Sequence, residues 1–170
     1  LITHAHNAQT LVDVLVLYAT ANPDRPHIHL QDDQGRETTI TYGMLLSNSL
    51  RVAQAFLDQG LMPGSTIAIM QPTNPGFFYT FFGALLAKCV PVPIYPPFRP
   101  HQLMAYAKQE ANILKNAEAR ILVTFQEAEQ LSKLLRAFVP SLKEITTVDA
   151  LLKTEKKAPI PKLETHDFAM

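Results

Sequence analysis

Two histidine pairs, His4/His6 and His27/His29, are the residues of this chain whose types and spacing come nearest to metal ligation. Alternate residues of a strand share a face, so His27 and His29 would offer two imidazoles to one ion. A four-coordinate site needs further donors, and the sequence sets none beside either pair. His27 and His29 are therefore read as polar residues of a strand face, His4 and His6 as part of an N-terminal arm, and no metal site is assigned. Cys89 is the single cysteine. A nucleophilic thiol needs a base beside it; none is evident, so Cys89 reads as a buried structural thiol. One cysteine cannot form an internal disulfide, which fits a reducing compartment. The usual devices for holding phosphate or activating serine are absent: there is no G-x-G-x-x-G, no G-x-x-x-x-G-K-[ST] and no G-x-S-x-G, and the six glycines never cluster. Asp32, Asp33, Glu127 and Glu129 read as turn and helix-surface carboxylates. No catalytic residue is assigned.

Binding chemistry is better marked. The run Val90-Pro91-Val92-Pro93-Ile94-Tyr95-Pro96-Pro97-Phe98-Arg99-Pro100 begins as a buried strand and breaks into a stiff turn. Proline cannot donate to a sheet ladder, so Pro96 and Pro97 close the strand. Open α/β sheets take ligands just beyond their strand ends, and this strand reads as a central one. Tyr95, Pro96, Pro97, Phe98 and Arg99 are the candidate substrate-binding residues, with Arg99 able to pair with an anion. The alternative is that the same residues only turn the chain and fill a corner.

The elements that must position them follow from caps and periodicity. Thr10-Leu11-Val12-Asp13 is an N-cap pattern opening a helix that Pro23 and Pro26 stop. His27 to Gln31 and Arg36 to Thr41 read as two strands joined by Asp32-Asp33-Gln34-Gly35, a hairpin. Thr41 caps a longer helix with Tyr42, Leu45, Leu46, Ser49, Ala53, Phe56 and Leu57 on one face, ended by Gly60. Strand–helix units follow. Strands are predicted at Thr66 to Met70, Val90 to Ile94 and Arg120 to Thr124, with a short fourth at Glu144 to Val148. Asn74-Pro75 opens the helix after the first, with a cap and an N1 proline. Its aromatic run, Phe77, Phe78, Tyr79, Phe81 and Phe82, reads as a helix buried on more than one face rather than a base-stacking platform. The next helix starts near Pro100, and Ala128, Leu131, Leu135 and Phe138 mark the one after it. This alternation predicts an α/β fold: an open, mostly parallel, doubly wound, flavodoxin-like sheet with helices on both faces, preceded by a β-hairpin. Residues 1–9 read as an arm, 10–152 as one α/β unit, 153–166 as a linker, and 167–170 as the start of a further strand.

Hydrophobic content of 47% and charged content of 18% describe a globular chain with one core. A formal net charge of 0 and no basic cluster argue against nucleic acid. The most apolar window, Phe77 to Ala87, ends at Lys88 and is too short to span a bilayer. With no leader visible, the expectation is a cytoplasmic protein. The chain starts at Leu1 rather than Met, so an N-terminal portion is expected to be missing or processed.

Read in order, several segments resemble the adenylate-forming superfamily of acyl-CoA synthetases, fatty acyl-AMP ligases and peptide-synthetase adenylation domains. They are Thr41-Tyr42-Gly43-Met44-Leu45, Leu61-Met62-Pro63-Gly64-Ser65-Thr66-Ile67-Ala68-Ile69, Pro72-Thr73-Asn74-Pro75-Gly76-Phe77, Ala84 to Pro93, and Ile113 to Thr124. The resemblance covers roughly residues 10 to 150. Ile94-Tyr95-Pro96-Pro97 resembles the fatty acyl-AMP ligase branch in particular. Lys88 departs from the pattern, which commonly has glycine there.

The resemblance implies a parent protein that joins a fatty acid to ATP as an acyl-adenylate and passes the acyl group to the thiol of an acyl carrier protein, with ATP and Mg2+ required. It also implies that this chain is the first subdomain of a large N-terminal domain. The family's phosphate loop, aromatic-x-x-Glu segment, Thr-Gly-Asp motif and C-terminal lysine do not occur in it, so the chain alone is expected to be inactive. The remainder of the adenylation domain would then be its partner, docked on an exposed apolar face. The alternatives are a long-chain acyl-CoA synthetase, with CoA as acceptor, and a stand-alone, non-catalytic α/β interaction domain.

Overall fold

The first helix shows how local the folding signals are. The Thr10 hydroxyl accepts from the Asp13 amide at 3.1 Å while the Asp13 carboxylate accepts from the Thr10 amide at 2.9 Å. This reciprocal capping box starts α1 (Leu11–Ala21). The structure, a computed structural model, describes residues 8–96 and 103–162, apart from the side chains of Leu103 and Glu129. Next come β1 (Pro26–Gln31) and β2 (Glu37–Thr41), an antiparallel pair. Asp32 organises their turn: its carboxylate accepts from the amides of Gln34 and Arg36, each at 2.9 Å, and pairs with the Arg36 guanidinium at 2.6 Å. Those bonds, the Arg36 amide first, hold the Asp32 carboxyl below its usual range.

Thr41 caps α2 (Tyr42–Asp58), and Asn74 and Pro75 open α3 (Pro75–Leu86) as the cap and first helical residue. Between and after them run β3 (Thr66–Ile69), β4 (Val90–Pro93), α4 (Leu103–Asn116), β5 (Ile121–Thr124), a 3-10 turn at Gln126–Ala128, α5 (Glu129–Phe138), β6 (Glu144–Thr147) and α6 (Val148–Leu151). Four strands form one parallel sheet in the order β4-β3-β5-β6. Side chains alternate across it, as the pleat requires. Ile67, Ile69, Ile121 and Val123 join the buried cluster of α1, α2 and α3. Ala68, Met70 and Leu122 join the cluster of α4 and α5 on the opposite face. The expected doubly wound sheet with a preceding hairpin is therefore present.

Three details differ from expectation. Among the described residues β4 is an edge strand, not a central one. Crossovers set the strand order, and the edge position suits Pro91 and Pro93, which have no amide hydrogen to give a second neighbouring strand. Val148 leaves the last strand and begins α6 under a Thr147 cap. Phe77, Phe78, Phe81 and Phe82 are half-buried, with Phe77 stacked on Phe81 and the pairs Phe77–Phe78 and Phe81–Phe82 edge to face, while the buried face of α3 is carried by Tyr79, Thr80, Gly83, Ala84, Leu85 and Leu86.

Helix endings repeat one device. At Gly60, Lys88 and Glu118 the chain turns left-handed, with φ of 76°, 57° and 50°. Each amide bonds the carbonyl three residues back, and the next amide bonds five back: Leu61 to Phe56, Cys89 to Ala84, Ala119 to Leu114. This is the Schellman ending, and it favours glycine. Lys88 and Glu118 carry a Cβ into it, so the left-handed turn forms at the position where the resembling family commonly has glycine. Glu118→Gly should stabilise the fold by about 0.5–1 kcal/mol, because relief of Cβ strain exceeds the added chain entropy. A urea midpoint that falls at unchanged slope would reject this.

On α4, Glu110 is 5% exposed and one of its carboxylate oxygens has no hydrogen-bond partner; the Tyr106 hydroxyl one turn away is likewise unpartnered. Burial raises the Glu110 pKa, and burial together with the neighbouring carboxylate raises that of Tyr106. A carboxyl raised on folding favours the fold while protonated, and that advantage is lost as pH climbs above about 4.5 through its folded value. Glu110→Gln should therefore be more stable than the parent chain at pH 7.5 and lose the difference near pH 4. Melting curves that run parallel across that range would exclude the assignment.

Candidate functional site: a crevice at the strand switch point

From β3 the chain crosses through α3 to β4 on one side, whereas from β5 it crosses through α5 to β6 on the other. Where adjacent parallel strands send their connections in opposite directions, a crevice opens at their carboxyl ends. Here it is an open cavity of about 740 Å3. Its inner wall comes from residues just past the strands. Gln71 is 7% exposed and its amide donates to the Thr124 carbonyl at 2.5 Å, which ties the ends of β3 and β5 together. Thr124 is 4% exposed, lines the cavity, and has a hydroxyl with no partner. An unpartnered buried hydroxyl has two hydrogen-bonding functions to offer.

The α3 N-terminus forms a second wall. The Asn74 side chain accepts from the Phe77 amide at 3.0 Å, and Pro75 has no amide hydrogen to satisfy. A Cβ on Gly76 would lie 3.0 Å from Val148 Cγ2 and 3.1 Å from Asn74 Oδ1, so glycine allows α3 and α6 to close on each other at the cavity floor. Tyr79 lies deeper, with burial raising its hydroxyl pKa and a bond to Asn48 opposing that. Glu127, Asp149 and Lys153 bring charge to the exposed rim. The arrangement can orient a polar ligand. Among the described residues it contains no nucleophile–base pair, and no three His, Cys, Asp or Glu side chains group to hold a metal.

The residues singled out by sequence are dispersed. Tyr95 is 76% exposed at the end of β4 and Pro96 is half-buried; neither lines the crevice. Pro97, Phe98 and Arg99 lie outside the described residues, as do His4 and His6. His27 stacks on Tyr42 at 4.1 Å, itself stacked on Tyr18, over which Arg25 sits at 5.5 Å. Burial and then Arg25 lower the His27 pKa. His29 instead pairs with the Thr39 hydroxyl at 3.1 Å. A register shift between Pro26 and Ile28 interrupts the regular pairing at His27. Cys89 is fully buried and its thiol is pushed up to about 11, so it is protonated at neutral pH. The crevice residues were missed because they come from separate junctions. The available signal was a strand running straight into a capped helix, Met70-Gln71 through Asn74-Pro75.

Residues 17–168 match the family of AMP-binding enzymes. Disco-interacting protein 2 homolog A of Mus musculus is 37% identical over 98 residues, which are 52% of this chain and 6% of that protein. The long-chain-fatty-acid–CoA ligase of Bacillus subtilis is 25% identical over 156 residues, 91% of this chain and 24% of the ligase. A solved fatty acid AMP ligase from Legionella pneumophila superposes with a TM-score of 0.78 at 22% identity, over 97% of this chain and 28% of its own. The chain thus spans under a third of each of these proteins, and the last comparison concerns the fold alone. With nearly all of its described elements inside the matched range, the chain belongs to the AMP-binding enzyme family.

Proposed function

We propose that the protein containing this chain activates a fatty acid as its adenylate and delivers the acyl group to the thiol of an acyl carrier protein. The observation that carries the reading is the family match over residues 17–168. The fatty acyl branch draws on Ile94-Tyr95-Pro96-Pro97 and on the likeness to the Legionella enzyme. In the first step a carboxylate oxygen bonds to the α-phosphorus of ATP as the bond to pyrophosphate breaks. In the second the thiol sulfur bonds to the acyl carbon and AMP leaves. Such steps need positive charge and oriented donors around the phosphates. The described residues do not fit a magnesium–phosphate site: no carboxylate cluster or Gly-Lys loop is among them. That part of the work is assigned to segments outside this chain, whose share is scaffold and pocket wall, including Tyr95, Pro96, Pro97, Phe98 and Arg99.

The test is acyl-adenylate formation by the full-length protein from ATP and fatty acid, followed by transfer to carrier protein or to CoA. Carrier protein acylated as its thioester supports the proposal; acyl-CoA as product replaces it with a CoA ligase. Unchanged turnover in Arg99→Ala would remove Arg99 from the pocket. A second reading, a non-catalytic interaction module, is favoured by the 37% identity to a protein named for its interaction with Disco. No acyl-adenylate under any condition would put that reading first.

A further inference from the structure

Residues 152–158, all but the first of which fall in the predicted linker 153–166, contain no regular element after the end of α6, yet they are pinned to α2 at both ends. The Arg51 guanidinium donates through Nε to the Thr154 carbonyl at 2.8 Å and through a terminal nitrogen to the Leu152 carbonyl. Four residues further on, the Ala158 amide donates to the Leu50 carbonyl at 3.0 Å, and Ala158 is 5% exposed. Two adjacent residues of one helix thus hold a strap that lies about a hundred residues later in the chain. Leu152 is the C-cap of α6, where a cation also meets the negative end of the helix.

The position of the grip matters more than its strength. Lys153 sits between the two carbonyls that Arg51 holds, and Leu152 and Lys153 both line the crevice. Among the described residues Lys153 is the one cationic side chain lining it. We propose that Arg51 is a positioning residue: by gripping the backbone on either side of Lys153 it fixes the strap against α2 and presents Lys153 at the crevice. A planar fork holds several donors in a fixed geometry that suits two carbonyls at once, whereas lysine brings a compact ammonium on a flexible stem.

The strap also carries its own reporter, because trypsin cleaves after Lys153, Lys156 and Lys157. In full-length protein, Arg51→Ala should raise cleavage at these sites at least about tenfold, since charge-assisted bonds hold the strap closed. Arg51→Lys should recover part of the protection. Hydrogen exchange at the Ala158 amide should accelerate by a similar factor while the amides of β3 stay protected. Unchanged cleavage in Arg51→Ala, or equal loss of protection in strap and β3, overturns the proposal, the second because Arg51 would then serve global stability only. If Arg51→Ala does not fold, Arg51→Lys is read by the same two measurements.

The kinetic arm alone rests on the proposed function. Loosening the strap should raise KM for ATP or fatty acid with kcat near the parent value, and Arg51→Lys should lie between. An unaltered KM with a loosened strap would sever Arg51 from the crevice. Absence of acyl-adenylate formation in the unmutated protein would instead reject the proposed function, leaving protease and exchange data to decide the strap.

Discussion

Phe56→Ala should cost about 3–5 kcal/mol, the range for removing a fully buried aromatic ring from a packed interior. Phe56 is 0% exposed and belongs to the cluster that fills the space between α1, α2, α3 and one face of the sheet. Its place is fixed twice. The side chain belongs to the core, and its carbonyl accepts from the Leu61 amide at 3.2 Å in the Schellman ending of α2. Leu61 is 6% exposed and part of the same cluster, so a cavity at Phe56 weakens the apolar support of that ending. Domains have only about 5–15 kcal/mol in total, so the loss would take a large share of the stability. Equilibrium urea unfolding measures it. A change below about 1 kcal/mol would mean that the cluster collapses around the missing ring or that Phe56 is not packed as described.

The elements were readable because their signals are local. Thr10, Thr41 and Asn74 are caps whose side chains bond within three residues, and each opens a helix where the sequence predicts one. Ile67-Ala68-Ile69 and Ile121-Leu122-Val123 are continuous apolar runs because both faces of the sheet are covered, and α2 has a clear buried stripe. What escaped depends on residues far apart. The edge position of β4 follows from where its crossover lands, and its one local sign is Pro91 and Pro93, whose missing amide hydrogens suit a strand bonded on one side only. The crevice joins Gln71, Gly76, Thr124 and Val148, which share no pattern. The strap looked like a linker because Pro159, Pro161 and its lysines are typical of one, while Arg51 lies roughly a hundred positions earlier. Lys88 departs from the glycine common in the resembling family, and its φ of 57° identifies what stands there, a left-handed helix ending.

Gly83→Ala should be destabilising by about 1–3 kcal/mol, although alanine is the better helix former. Gly83 lies in the interior of α3, where it faces α2, and glycine there costs helix stability unless packing requires it. The packing does require it. A Cβ on Gly83 would lie 2.6 Å from Val52 Cγ1, 2.8 Å from Val52 Cβ and 3.1 Å from the Ser49 carbonyl oxygen. Rotating Val52 moves its Cγ1 away but leaves its Cβ in place, and Val52 is 0% exposed with no space to yield. The helices must separate, which disturbs the largest buried cluster. The pairing can be tested without a structure. Val52→Gly alone should cost roughly 2–4 kcal/mol for the lost buried side chain and the added chain entropy. In the double variant Gly83→Ala/Val52→Gly no Cβ remains at position 52 and the new methyl enters the vacated space, so the cost of the pair should fall short of the sum of the two single costs by about 1 kcal/mol or more. Strict additivity would place the cost of Gly83→Ala elsewhere than in the contact with Val52. Stabilisation by Gly83→Ala would mean that α2 and α3 stand farther apart than the present packing, and that intrinsic helix propensity governs the position.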